Sequence, residues 1–231
     1  MGSSTVTCTA TDMSGNTARC AFTVAVNNQA PVTTITGPES GLIYAAGTSV
    51  TFTGSFTDNA GDTHTAIWMF DGLTTGGTVS EGSGTVTATY SFAAAGVYNV
   101  MLTVTDQCGH SGTSTQIAGL NAMVVIYDPN AGFITGGGWI NSPLCATPGA
   151  SLYGKANFGF VSKYKKGASV PTGETEFQFQ TGNLNFHSSI YYWLVISGAK
   201  GQYKGDGTIN NAGNYGFMLT AWDGQISGGG G

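Results

Sequence analysis

Apolar and polar residues alternate along much of this chain with a period of two. Residues 5–11 read Thr-Val-Thr-Cys-Thr-Ala-Thr, and residues 17–26 continue the pattern through Phe22, Val24 and Val26. Alternation of this kind places successive side chains on opposite faces of an extended backbone, so it predicts strands. The same pattern recurs in Ser49–Phe56, Thr85–Phe92 and Gly96–Thr105, with Gly, Asp and Asn turns between them. Further strand candidates are Ala156–Tyr164, Thr175–Gln180, Ile190–Ser197, Ala199–Tyr203 and Tyr215–Trp222. No stretch combines helical periodicity with a cap and strong helix formers, so no helix is predicted. The fold class that follows is all-β.

Two breaks divide the pattern. Asn27-Asn28-Gln29-Ala30-Pro31 reads as a linker, and Tyr127-Asp128-Pro129-Asn130-Ala131 as a second boundary. The division is a β-hairpin in residues 1–27, an immunoglobulin-like β-sandwich in 28–128, and a second antiparallel β-sandwich in 129–231.

Composition supports this division. Charged residues make up only 8% of the chain, yet 41% apolar and 11% aromatic residues suffice for packed cores, so disorder is excluded. Between Ala30 and Met123 there is no Lys or Arg, while Glu39, Asp58, Asp62, Asp71, Glu81 and Asp106 are acidic. All the lysines lie between Lys155 and Lys204. The net charge of −5 argues against a nucleic-acid partner. No apolar run is long enough to cross a bilayer, so no membrane insertion is expected. Met1-Gly2-Ser3-Ser4 has neither a basic end nor a hydrophobic stretch, and is not read as a signal peptide. The expectation is an excised piece of a longer extracellular or cell-surface protein.

Cys8 and Cys20 flank Asp12-Met13-Ser14-Gly15-Asn16, a turn signal centred on Ser14. A hairpin folded there sets the two cysteines opposite each other and predicts a disulfide, hence an oxidising compartment; the alternative is two unpaired thiols. Cys108, in Asp106-Gln107-Cys108-Gly109-His110, and Cys145, in Ser142-Pro143-Leu144-Cys145, are the candidates for a second bridge. None of the four lies in a CxxC pair or at ligand spacing from a His, which argues against zinc.

Catalytic constellations are weak. There is no Gly-x-Ser-x-Gly elbow, and Gly136-Gly137-Gly138 runs into Trp139-Ile140 instead of a helix start, so it is no phosphate cradle. His64 shares a face with Asp62, but a polar contact near a loop is the better reading than a catalytic pair. Glu174 and Glu176 share a strand face and read as a solvated strand rather than a glycosidase pair. No enzymatic activity is expected.

Asp58-Asn59-Ala60-Gly61-Asp62 brings two carboxylates and an amide into a Gly-containing loop, which suits calcium, an ion that takes several hard oxygen ligands. The competing reading is a turn whose Asp and Asn side chains cap backbone groups. Asp58 and Asp62 are the candidate ligands; no other cofactor is expected. Lys163-Tyr164-Lys165-Lys166 is the densest basic feature. It suits contact with acidic polysaccharide or another copy, or else a lysine-protected sheet edge. Phe158/Phe160 and Phe177/Phe179 have the spacing of a core stripe.

Three segments resemble known extracellular modules. Thr5–Asp12 through Asn16 to Cys20-Ala-Phe-Thr-Val24 is similar to the last two strands of a hyalin-repeat (HYR) domain. Residues 30–127 resemble a PKD-type immunoglobulin-like domain through Phe56-Thr-Asp58, Asp62–Trp68, Tyr90-Ser-Phe92, Gly96-Val-Tyr98 and Val100–Asp106; Trp68-Met69-Phe70-Asp71-Gly72 departs from the family's Trp-Asp-Phe-Gly-Asp-Gly. Residues 132–231 resemble the post-COAP type module of bacterial secreted proteins. Gly136-Gly-Gly-Trp139-Ile, Gly154–Phe160, Lys163–Lys166 and Tyr215–Thr220 carry that resemblance. These resemblances imply a non-catalytic structural or adhesive segment of a secreted or surface bacterial protein. Two alternatives stand beside it: a filament subunit assembled by strand exchange, and a carbohydrate-binding accessory module of a secreted hydrolase. The partners implied are other copies of the protein or surface polysaccharide.

Overall fold

The computed structural model describes residues 2–26, 28–144 and 151–226. The first unit is a hairpin of β1 (Gly2–Thr11) and β2 (Thr17–Val26). Its turn is closed by Asp12, whose carboxylate accepts from the backbone N–H groups of Ser14 and Asn16. The register that results puts Cys8 opposite Cys20.

The middle module holds β3 (Val32–Gly37), β4 (Leu42–Ala45), β5 (Ser49–Thr57), β6 (His64–Phe70), β7 (Leu73–Ser80), β8 (Thr85–Ser91), β9 (Gly96–Asp106), β10 (Ser111–Ser114), β11 (Gln116–Ile117), β12 (Leu120–Asn121) and β13 (Met123–Tyr127). The strand path runs β3-β5-β8-β7-β6-β9-β13-β4. It folds over at β7, so that the β3–β5–β8 layer faces the β6–β9–β13 layer. A Cβ added at Gly77 would lie 2.6 Å from Val86 and 3.0 Å from Ala66, so the fold-over requires glycine. Between the layers lie Phe52, Trp68, Phe70, Val86, Phe92, Leu102 and Val104, all buried. The rings of Phe52 and Phe70 are 4.5 Å apart, and those of Phe52 and Trp68 5.6 Å apart. These are the inward positions of the alternating runs, so the sequence period becomes the core directly.

The C-terminal module is an antiparallel meander of β14 (Phe133–Ser142), β15 (Gly154–Lys163), β16 (Thr172–Phe179), β17 (Leu184–Ser197), β18 (Lys200–Ile209) and β19 (Ala212–Trp222), hydrogen-bonded in chain order. A single 3₁₀ turn, Gln180–Gly182, interrupts it. All-β architecture is as expected, but the second unit is one curled sheet and not two stacked ones. Bulges on β17 at Ser188/Ile190 and Tyr191/Trp193 bend the long strand. Glycines on β18 let it coil: a Cβ at Gly205 would meet the Ile190 carbonyl oxygen at 2.1 Å. The curl brings Ile134 of the first strand against Gly201 of the fifth and encloses Tyr191, Leu194 and Tyr203. Thr175 Oγ1 lies 2.8 Å from the Tyr191 hydroxyl and 2.7 Å from that of Tyr203, so these buried polar atoms are satisfied within the module.

Strand alternation gives β17 two apolar faces, and the second bulge puts Tyr191 on the same face as Leu194. Leu194 points into its own module, while Trp193 and Val195 pack on Val125 of β13 with Ile43, Ala95 and Val97. The rings of Tyr127 and Tyr164 lie 5.1 Å apart, tilted by 33°. The middle and C-terminal modules thus share an apolar seam.

Candidate cation site at the first module junction

Two elements bring carboxylates together at the end of the sandwich nearest the hairpin. The loop between β5 and β6 carries Asp58 and Asp62, and Asp106 closes β9; carboxylate oxygens of all three lie within 4.8 Å of one another. Asp106 is wholly enclosed. Its Oδ1 accepts from the N–H groups of Cys108 and His110, and its Oδ2 accepts from Asn28 Nδ2 at 2.7 Å. Burial acts to raise its pKa, but these hydrogen bonds outweigh burial and hold the carboxyl below the usual range. Asn28 belongs to the linker after the hairpin, and its Oδ1 accepts from Asn59 Nδ2 at 2.8 Å. Linker and acidic loop are therefore tied to each other.

Asp62 Oδ1 accepts from Gln107 Nε2 at 3.0 Å, while its Oδ2 is buried with no partner. A buried, unpaired carboxylate oxygen beside two further carboxylates is costly unless a cation satisfies it. No Lys or Arg lies between Ala30 and Met123 to do so. Hard oxygen donors in a Gly-containing loop fit calcium, which takes six to eight oxygens in flexible geometry. Asp58 and Asp62 do come together as expected. Asp106 and Asn28, distant in sequence, complete the group; the acidic character of Asp106 was visible, but its neighbours were not. Asp71 lies elsewhere, accepting from the backbone and side chain of Asn99.

His64 is part of the wall and does not pair with Asp62. Its Nε2 contacts Asp58 Oδ2 at 2.9 Å and its Nδ1 contacts Glu81 Oε2 at 2.8 Å. Burial opposes its charge, yet the hydrogen bonds to Asp58 and Glu81 prevail and raise its pKa. With both ring nitrogens engaged, it offers no free base for catalysis.

The other candidates separate. Lys163 ends β15, an interior strand, and exposed Lys165 and Lys166 lie in the turn that follows, so these lysines protect no sheet edge. Tyr164 is turned inward; its hydroxyl bonds both the carbonyl and the N–H of Leu194, which takes it out of any surface patch. Glu174 and Glu176 share a face of β16, and His187 of β17 joins them, with Nδ1 3.2 Å from Glu176 Oε1. Cys8 and Cys20 lie opposite each other as free thiols, and the bond between them stands as a proposal. Opposed residues of antiparallel strands have Cα atoms about 4.5–5.5 Å apart, inside the disulfide range of about 4.4–6.8 Å. Cys108 is exposed; Cys145 lies outside the described residues.

Two family models match the chain. Residues 28–120 match the PKD domain and residues 1–26 the HYR domain, so the first two modules are a PKD domain and the end of an HYR domain. The sandwich itself continues through β13 to Tyr127. No curated protein matches. Among solved structures, similar chains include fibronectin(III)-like modules of Clostridium thermocellum CbhA, at 12% identity, TM-score 0.32, covering 83% of this chain and 93% of that one. Carbohydrate-binding modules of the β-sandwich superfamily match at 17% identity and TM-score 0.32, covering 84% of this chain and 85% of theirs. Titin domains Z1Z2, solved with telethonin, match at 16% identity and TM-score 0.30, covering 85% and 98%. The fold stands on the strand order and the family match, not on these superpositions. PKD and HYR domains are typical of extracellular proteins. Among the described residues, no helix is long and apolar enough to cross a membrane.

Proposed function

We propose that this chain, built from the end of an HYR domain, a PKD domain and a curled β-module of post-COAP type, is a non-catalytic structural and adhesive segment of a secreted or surface protein. On this reading, Asp58, Asp62 and Asp106 of the PKD domain hold a calcium ion. The ion stiffens the junction to the preceding module through Asn28. The buried, unpaired Oδ2 of Asp62 beside two carboxylates is the observation that carries this reading. A linker side chain bound to the same cluster converts ion binding into a fixed angle between modules. Calcium is favoured over magnesium because it accepts several oxygen ligands in irregular geometry, whereas magnesium demands near-ideal octahedral geometry and gives up its waters reluctantly. Partners of such a segment are other copies or surface polysaccharide.

Isothermal titration with calcium and with magnesium, together with melting in chelator, tests the reading. The expected result is calcium-selective binding and a rise in melting temperature, both lost in Asp62→Asn. Flat titrations and melting indifferent to chelator would overturn it.

A further inference from the structure

The outer face of the C-terminal sheet carries a row of polar side chains. Trp139 of β14, Asn157 of β15, Gln178 of β16 and Asn185 of β17 stand opposite one another in register, and opposed residues share a face. Phe160 and Thr175 lie at alternate positions of the same strands and turn the other way, toward Tyr203 inside the curl. Neighbouring strands lie about 4.8 Å apart, so the row spans about 14 Å. β15, β16 and β17 each have a neighbour on both sides, so the centre of this face does not depend on the sheet's edges.

At its Asn185 end the row opens into a cleft of about 190 Å³, lined by Gln178, Gln180, Asn183, Leu184, Asn185 and Asn210. Two turns build it. Asn183 closes the 3₁₀ turn in the left-handed conformation, and Asn210 adopts the same conformation after β18. Asn210 pins the turns together. Its N–H donates to the Asn185 carbonyl at 2.8 Å, its Oδ1 accepts from the Asn185 N–H at 3.0 Å, and its Nδ2 donates to the Asn183 carbonyl at 2.7 Å. The side chain of Asn210 is thereby spent, whereas those of Gln178, Gln180, Asn183 and Asn185 have no hydrogen-bond partner among the described residues. No charged residue lines the cleft. Beside the row, on the same face, stand Glu176 opposite His187 and then Glu174. At the far end Lys155 Nζ lies 4.8 Å from the centre of the Trp139 ring, and Trp139 remains 58% exposed.

We propose that this cleft and the row leading to it bind a neutral polysaccharide. One sugar unit sits in the cleft, hydrogen-bonded to Gln178, Gln180, Asn183 and Asn185, and the chain runs over Asn157 to Trp139. An amide both donates and accepts, as a sugar hydroxyl does, and carries no charge to select an ion. The exposed indole gives the apolar side of a sugar ring a flat surface. Glu174 and Glu176 beside the row oppose an acidic polymer. Leu184 is the cleft's one apolar residue, so there is no pocket for the side chains of a peptide. The pinned turns hold the amides in place before binding, which lowers the cost of ordering them. This inference rests on the reading of surface polysaccharide as a partner and is independent of the cation site.

Affinity electrophoresis and isothermal titration of the full chain test it. The neutral probes are dextran, laminarin, xyloglucan and galactomannan; the acidic probes are alginate and polygalacturonate. At least one neutral polymer is expected to bind, equally in calcium and in chelator, and the acidic ones are not. Gln178→Ala with Asn185→Ala should weaken binding about tenfold or more, the scale of losing two hydrogen bonds, with the parent's melting profile. Trp139→Ala, on a different strand, should weaken it as well, while Lys165→Ala with Lys166→Ala should leave it unchanged. Neutral binding that survives the first two variants, or binding of acidic polymers alone, would overturn this site and leave the polysaccharide partner standing. No binding to any of these polymers would overturn both.

Discussion

The PKD domain meets its neighbours in two different ways. Before it, a linker amide, Asn28, is hydrogen-bonded into a group of carboxylates, one of them with a buried oxygen left unpaired. After it, Val125 is buried against Trp193 and Val195. The first junction is polar: three carboxylates meet there, two of them in contact with His64 and His110. The second is apolar and complete within the chain. Apolar burial is non-directional and insensitive to ions, whereas a carboxylate cluster is stable only when its charge is compensated. On the proposed reading, calcium would therefore adjust the first junction and leave the second unchanged.

The largest effect expected is from breaking the apolar seam. Trp193→Ala removes a large buried aromatic, a change that typically costs about 3–5 kcal/mol. Calorimetry of the parent should show the PKD and C-terminal modules melting together, and the variant should split them into two transitions. Retention of a single transition at the parent's temperature would mean that the seam does not couple the modules.

Next in size is the polar junction. A ligand that binds only the folded state at about one hundred times its Kd stabilises by about 2.7 kcal/mol. Calcium is thus expected to raise the melting temperature of the PKD domain by that linkage and to leave the seam unchanged. Asp62→Asn should abolish the shift, while Asp71→Asn, outside the cluster, should keep it.

A third prediction uses the tyrosines of the C-terminal module. Burial pushes Tyr164 and Tyr203 up to about 12, against the lowering effect of their hydrogen bonds to Leu194 and Thr175. The folded state holds these protons more tightly than the unfolded chain, whose tyrosines titrate near 10. Their contribution is fully present below about pH 10 and is lost as pH rises toward 12. Alkaline titration followed by tyrosinate absorbance should show this late class, with C-terminal unfolding accompanying it. Early titration of both residues would contradict the burial described.

Much of this architecture was legible in the sequence because period-two alternation says which side chains share a face. Ser49–Phe56 and Gly96–Thr105 became core strands on that ground, and the turn around Ser14 fixed the hairpin register. Alternation does not say what covers a face, however. The stripe through Phe158 and Phe160 promised a core, yet whether a second sheet or the curl of the same sheet would enclose it depended on bulges in β17 and on Gly201 and Gly205 of β18. Strand order was equally hidden, so the lysines at 163, 165 and 166 seemed suited to an edge, although β15 is interior. In the carboxylate cluster, Asp58 and Asp62 are legible in the sequence because they share one loop. Asn28 and Asp106 join them only through the closure of the sandwich. Likewise, the inward turn of Tyr164, which follows β15, comes from its bond to Leu194 on a strand two places away in the sheet.

The smallest effect expected is from the hairpin's cysteines. Oxidation should join Cys8 to Cys20, seen as a mass loss of two hydrogens and no alkylation before reduction. Reduction should loosen the hairpin alone, leaving the PKD domain and the seam at their parent stability. Two freely alkylated thiols in protein purified under oxidising conditions would remove the bond from the account.

The contrast between the junctions is tested most directly by amide hydrogen exchange on the full chain, with calcium and with chelator. Calcium is expected to slow exchange around Asn28, Asn59–Asp62 and Cys108–His110. Amides of β13 and β17 around Val125 and Trp193–Val195 should exchange at the same slow rate in both conditions. Identical exchange at the first junction with and without calcium, or opening of the seam when calcium is withdrawn, would contradict it.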